Sequence, residues 1–464
     1  MTATEIPQRE PTASGGGGFD SWFKLTERGT NVGTEIRAGI TTFLVMVYIV
    51  ALNPAIIAGA LQLDPVAVAA GTALIAGIMT LAMGLFTNYP FALAAGLGLN
   101  AAVAFGLTAL GMTPAQAMGV VVIEGVIITL LVLVGLREAI MNAVPIGLKR
   151  AIGVGIGLFI LFIGFWDGGL IVGVTPEFAP PPPPLAFQYP TDAADFVFLA
   201  GLFLTFALWA LKVKGALIIS IAATTVLAIV TGVQAIPTEF TWTPNFSTLG
   251  LGLQDIPGIF TIEAGVLAAI LAIFTIMLSD FFDSMGTVTA VAAEAGLAEP
   301  DGTVPGVGRV LLVDSVAAAV GGAAGVSTNT TYIESAAGVG DGGRTGLTSV
   351  VTGLLFLVAI FLAPIVQIIP LAATAPALVL VGFIMFTQIG EIDVRDIYTG
   401  LPALLTMILM PLTFTIYIGI GAGIVTWVFL QVVARRFSQI HWLMWIVFVA
   451  FVIFFAQALI TQYL

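Results

Sequence analysis

Asp280 and Asp283 lie in FTIMLSDFFDSMGT (274–287), and Glu334 lies in STNTTYIESAAGVG (327–340). Long apolar runs flank both stretches. A carboxylate in such a place can accept two N–H donors side by side, and charge-assisted bonds of this kind are about twice as strong as neutral ones. It can also load a proton at one face of a low-dielectric barrier and release it at the other. An acid near the centre of a bilayer costs about 2.5–3.5 kcal/mol on insertion scales, so it is retained where it is paired, hydrated or functional. Asp280 and Asp283 are three positions apart, which predicts that they share one helix face. Glu124 in VVVIEGVIIT and Asp314 in LLVDSVAAA are also deep in apolar runs; they read as satisfying helix contacts or facing a hydrated crevice. YPFALAAGLGLNAAVAFG (89–106) adds Asn100, an amide with both donor and acceptor. An intramembrane aspartyl protease would need its two acids on facing helices to activate water. Two acids on one helix argue against it.

The elements that hold these groups follow from composition. The chain has 464 residues, 59% hydrophobic and 9% charged, against roughly 25% charged in soluble proteins. Its mean hydropathy is +1.11. It cannot cover itself with a polar surface and reads as an integral membrane protein. Apolar runs are predicted to be helical at 36–59, 65–86, 91–110, 114–136, 149–170, 193–211, 213–234, 261–287, 305–325, 328–342, 344–369, 372–389, 400–417, 419–436 and 440–462. Most have the length a helix needs to cross the hydrocarbon core, and helices satisfy their own backbone in lipid. The run at 440–462 would add a fifteenth crossing or lie partly at the interface, or 400–436 is a broken hairpin. Cysteine is absent and His441 is the single histidine, which excludes disulfides and thiol chemistry and leaves no basis for a metal or cofactor. A net charge of −12 gives no reason to expect nucleic acid. The polar N-terminal residues 1–34, with SGGGG at 14–18, read as a disordered cytoplasmic tail.

Placing the N-terminus inside puts all fourteen Lys and Arg on one side: Arg9, Lys24, Arg28, Arg37, Arg137, Lys149, Arg150, Lys212, Lys214, Arg309, Arg344, Arg395, Arg435 and Arg436. That is the positive-inside pattern of a multi-pass protein of the cell membrane. TEIRAGITTFLVMVYIVALNP (34–54) is weakly similar to TIEAGVLAAILAIFTIMLSDFFD (261–283), with Gly39 and Gly265 226 positions apart. A seven-span repeat has an odd number of crossings, so its second copy is inverted, as in many secondary transporters that bind at the midplane on interrupted helices. Pro90, Gly96 and Gly98 interrupt the third span, and 327–340 stands third in the second half. In an inverted repeat these two segments would meet and enclose a polar pocket. Irregular backbone at that depth is tolerated only where protein buries it or a cavity hydrates it.

The stretches VYIVALNP, FALAAGLGLNA, SDFFDSMGT and NTTYIESAAGVGDGGRTGLTSVVTG resemble the purine-permease (AzgA-like) branch of the nucleobase–cation symporter superfamily, relatives of uracil and xanthine permeases. The likeness runs from about residue 20 onward. It implies an all-α polytopic fold of about fourteen transmembrane helices in a seven-plus-seven inverted repeat, with short extended segments in spans 3 and 10. Core halves would be 35–136 and 259–370, and gate halves 137–258 and 371–464. It also implies alternating-access, proton-coupled uptake of hypoxanthine, adenine or guanine, and is compatible with a homodimer. Carried over by motif, Asp283 and Glu334 would contact the base, with Gly98 and Thr331 beside it and Asn100 orienting it; Asp280, Asp283 or Glu334 would carry the proton. A purine edge sets N–H donors beside acceptors, which suits carboxylates and a bidentate amide. A xanthine- or uracil-type carrier is the alternative within the superfamily. A sulfate- or bicarbonate-type anion carrier of like architecture is the nearest rival; with acids and no mid-span Lys or Arg, the sequence argues against it.

Overall fold

The computed structural model describes residues 18–135, 144–173, 185–237, 242–299 and 304–463. Arg9, Arg137, most of the Gly-rich N-terminal run and the proline run that starts at 180 lie outside them. The first span is two helices, α2 (Val32–Met46) and α3 (Ile49–Leu61), broken at Val47–Tyr48; a short helix, α1 (Gly18–Phe23), precedes them. Helix α4 (Pro65–Thr87) is followed by a three-residue strand, β1 (Leu93–Ala95). A short α5 (Leu97–Ala101) then runs on through a π-turn to Leu110, and α6 (Pro114–Leu133) follows. Next come α7 (Ile146–Asp167), a small surface hairpin of β2 (Ile171–Gly173) and β3 (Leu185–Phe187), α8 (Ala193–Ala210) and α9 (Ala216–Val230). The second half repeats the plan with α10 (Gly265–Glu294), α11 (Val307–Ala323), β4 (Asn329–Thr331), α12 (Ser335–Gly340), α13 (Gly346–Ala359) with its 3-10 extension to Ile368, α14 (Leu371–Phe386), α15 (Ile397–Thr413) and α16 (Ile416–Val433). These account for the fourteen expected spans. The C-terminal run forms a further helix, α17 (Trp442–Tyr463), at 22 residues about 33 Å long. It packs on α16 and α10, and 400–436 forms two helices joined at Phe414–Thr415.

The helices pack in two sets. In one, α13 lies against α4 and α2, α11 against α6 and α4, and α10 against α6. In the other, α14 lies against α7 and α8, and α15 against α7 and α16. Lipid tails are as apolar as leucine, so close backbone approach through small residues replaces the hydrophobic effect between membrane helices. Gly77 and Gly353 face each other in the first set, and Gly157 and Gly382 in the second; a Cβ on any of the four would collide with the opposite helix.

The repeat is visible in the strands. Ala94 and Thr330 are paired across the antiparallel β1–β4 ladder and stand 236 positions apart; so do Thr87 and Ala323, which end α4 and α11. Equivalent helix starts are 233 apart for α2 and α10 and 232 apart for α6 and α13, so the match through Gly39 and Gly265, at 226, is several residues out of phase, because one apolar helix start resembles another.

The tail reading is corrected over residues 18–34. Phe23 and Leu25 are buried against Leu347, Val350 and Val351. Arg28 donates to the carbonyls of Asn88, at 2.5 Å, and Arg344, at 2.8 Å. Two apolar anchors and one guanidinium pin the segment across the ends of α4 and α13, which a count of polar residues cannot detect. Further basic groups gather at the same end: Arg37 donates to the Asp341 carbonyl, and Lys214 reaches the Asp341 carboxylate at 2.5 Å.

Glu35 is fully buried at that end. Its carboxylate accepts the backbone N–H groups of Arg344, Thr345 and Thr348 and the hydroxyls of Thr345 and Thr348, at 2.6–3.2 Å. It therefore caps α13 from another helix, at the positive end of the helix dipole. Glu35→Ala leaves five donors without their acceptor. It is expected to destabilise the protein by about 3 kcal/mol or more, read as a lowered thermal midpoint in detergent. An unchanged midpoint would contradict this role.

Candidate functional site

Two strands only three residues long would be poor structures in water. Here they sit mid-bundle, all six residues buried, and each satisfies the other: Leu93 pairs with Thr331 and Ala95 with Asn329. The ladder continues at both ends, with Gly96 N–H donating to Thr328 O and Tyr332 N–H to Ala92 O, each at 2.9 Å. The Tyr332 hydroxyl donates to the Ala95 carbonyl. Short helices α5 and α12 start after the strands, so two helix N-termini lie within the membrane-depth interior; at α12 the first N–H groups are already bonded, Ser335 to Tyr332, Ala336 to Ile333 and Ala337 to Glu334.

Around this pair the predicted residues separate. Glu334 is half-buried at the start of α12 and accepts a 2.5 Å hydrogen bond from the Tyr48 hydroxyl. Tyr48 is itself buried, at the break between α2 and α3. Asp283 is exposed, and the charges that act on it are those of Asp314 and Glu334. Its exposed face continues along α10 through the small residues Gly286, Ala290 and Ala293 to the helix end, whereas the preceding turns, 271–281, are buried apart from the half-buried Phe274. The exposed side of Asp283 is thus continuous with the C-terminal end of α10.

Asp280 does not share that environment. Three residues rotate a helix by 300°, so the two acids are 60° apart around the axis. That angle is enough to bury Asp280 at 1% exposure, facing Glu124, Asp314 and the Thr330 hydroxyl. Thr331 is occupied: its backbone N–H and hydroxyl both bond Asp314, at 2.8 and 2.6 Å. Gly98 faces the second helix set, where a Cβ would stand 2.5 Å from Ile156 Cγ2; its missing side chain lets α5 approach α7. Asn100 is fully buried, with neither amide atom hydrogen-bonded within the protein.

The structure thus brings Asp283 and Glu334 together beside the strands and buries Asp280 with Glu124, while the charge of Asp314 acts on both aspartates. Glu124 and Asp314 had been read as helix contacts or crevice residues. Asp314 does bond Thr331, and Glu124 accepts the Thr328 hydroxyl at 3.0 Å, but both also belong to one acid cluster drawn from three helices. The signal was present, since each is a lone acid in the middle of an apolar span. Tyr48 was missed; its sequence mark is a phenol inside the otherwise apolar VYIVALNP. Among the described residues, no three Asp, Glu, His or Cys side chains converge to hold a metal.

A family model described as "Permease family" matches residues 33–422. The guanine/hypoxanthine permease PbuG of Bacillus subtilis is 36% identical over 446 residues, covering 94% of this chain and 99% of that protein. The adenine permease AdeQ of Escherichia coli is 37% identical over 421 residues, covering 90% and 92%. The transmembrane domain of a cyanobacterial bicarbonate transporter, BicA, superposes with a TM-score of 0.60 at 14% identity, covering 85% of this chain and 97% of that one. That last likeness establishes a common fold.

Because the native chain has no cysteine, single cysteines test the two environments cleanly. Asp283→Cys is expected to react with a hydrophilic thiol reagent at least about tenfold faster than Asp280→Cys, since exposure governs thiol access. Equal labelling rates in the folded protein would refute the separation.

Proposed function

Since the chain belongs to this permease family, we propose that it is a secondary active carrier that takes up purine nucleobases together with protons. It is a transporter and not an enzyme. The observation that carries the substrate reading is the near full-length similarity to permeases named for guanine, hypoxanthine and adenine. The geometry supports it. Asp283 and Glu334 are neighbouring acids beside an interior strand pair, and the charged groups acting on Asp283 are themselves acids, a poor seat for an inorganic anion. A flat, neutral heterocycle with N–H donors suits such a pair.

In this mechanism the base enters between the two helix sets and donates N–H groups to Asp283 and Glu334. Tyr48 holds Glu334 by one oxygen. Asn100 orients the base once the surrounding helices part, and Gly98 lets the two sets close around it. We place the end that carries Arg28, Arg37, Lys214 and Arg344 in the cytoplasm, following the positive-inside rule. The exposed flank of Asp283 then opens inward. The set containing α7–α9 and α14–α16 would rock against the strand-bearing set, as in other repeat-built carriers.

Glu334→Gln and Asp283→Asn are each expected to lower radiolabelled hypoxanthine uptake at least about tenfold, the loss of roughly one charge-assisted bond, with membrane insertion unchanged. Normal uptake in both would defeat the site assignment. A protonophore is expected to abolish accumulation in the native protein; insensitivity would make it a facilitator.

A further inference from the structure

Behind the strand pair lies a group that substrate contact does not use. Glu124 stands midway along α6 with no solvent exposure. One carboxyl oxygen accepts the Thr328 hydroxyl at 3.0 Å, and the other, Oε2, has no hydrogen-bond partner within the protein. Asp280, at 1% exposure, likewise leaves Oδ1 unpartnered. The charged groups that face Glu124 are Asp314 from α11 and Asp280 from α10, both acids. Of the other elements packed on α6, residues 102–107 carry no ionisable group. Residues 251–261 carry only Asp255, which Gln116 holds at 2.8 Å near the start of α6.

The charges that act on Glu124 and Asp280 all come from other acids, and the two cannot both be anionic. Like charges a few ångströms apart repel by a few kcal/mol even at an effective dielectric constant near 20, and each ion also loses its hydration. A neutral carboxyl with one unmade hydrogen bond costs about 1–3 kcal/mol. A proton on Glu124 or Asp280 removes that repulsion and satisfies a free carboxyl oxygen.

We infer that Glu124 is a proton-carrying residue of the transport cycle, in a buried site behind the Asp283–Glu334 pair that meets the solute. This rests on the carrier reading above. The link between the two sites is short. Thr328, which donates to Glu124, also offers its carbonyl to Gly96 at the end of β1. The strand that follows Thr328 leads within six residues to Glu334. A carboxylate must accept the Thr328 hydroxyl, whereas a carboxylic acid can also donate. Gain or loss of the proton therefore re-sorts the hydrogen bonding of the strand that positions the solute-binding acid.

The test uses the purified full chain in proteoliposomes with an inward pH gradient of one unit. One pH unit is a factor of ten in proton activity, so the native protein is expected to accumulate labelled hypoxanthine about tenfold. Glu124→Gln is expected to bring that ratio to about 1 while hypoxanthine counterflow stays within about twofold of native. Glu124→Asp is expected to keep accumulation. An infrared difference spectrum between acid and alkaline buffer, taken without solute, should show a protonated-carboxyl band that Glu124→Gln removes. Native accumulation in Glu124→Gln, or an unchanged carboxyl band, overturns the inference. Loss of counterflow in a Glu124→Gln protein that melts like the native one also overturns it, because it would place Glu124 in binding. No hypoxanthine uptake by the native protein, with the Glu124 band intact, would count against the substrate reading and leave the proton site standing.

Discussion

Two interrupted spans can exist at membrane depth here because each completes the other's hydrogen bonding. An unpaired peptide group in hydrocarbon costs several kcal/mol. The antiparallel ladder of Leu93–Ala95 with Asn329–Thr331, extended by Gly96 and Tyr332, removes that cost for both segments at once. Neither segment could hold this conformation alone. The pairing ties the two halves of the chain together at their centre, and it fixes the places from which α5 and α12 start. Glu334, Asn100 and the neighbouring hydroxyls are positioned as a consequence.

That arrangement makes room for carboxylates of two kinds. Structural ones are saturated. Glu35 collects five donors and caps α13, and Asp314 takes both donors of Thr331. Others are left short of partners: Glu124 and Asp280 each keep a free oxygen, and Asp283 looks into open space. A saturated acid has its geometry and charge state set by its neighbours. An unsaturated one has capacity left for a solute or a proton. Degree of hydrogen bonding, more than depth in the membrane, separates scaffold from function among these acids.

The legible part of the site followed from rarity. In a chain with 9% charged residues, an acid inside an apolar run stands out, which is why Asp280, Asp283 and Glu334 could be found before any fold was known. The span count was legible for a similar reason: apolar length and the one-sided distribution of Lys and Arg are properties of the chain itself. The repeat register was not, because apolar helices resemble one another at any offset; it is read from the spacing of equivalent element ends. The role of residues 18–34 was hidden too, since two apolar side chains and one arginine order them through contacts some sixty and three hundred residues away.

By itself the sequence determined that this is a polytopic helical membrane protein, which way its basic ends gather, where two spans break and which ionisable groups lie deep. Those follow from local composition and from the energetics of a helix in lipid. The tertiary structure alone decided that the Asp283 side chain is exposed while Asp280, one turn away, is buried among Glu124 and Asp314. It also decided that Thr331 serves Asp314, that Gly98 serves helix approach and that Tyr48 holds Glu334. A 60° rotation about a helix axis separates the two aspartates, and which side of that angle meets a cavity is set by neighbours far away in the chain.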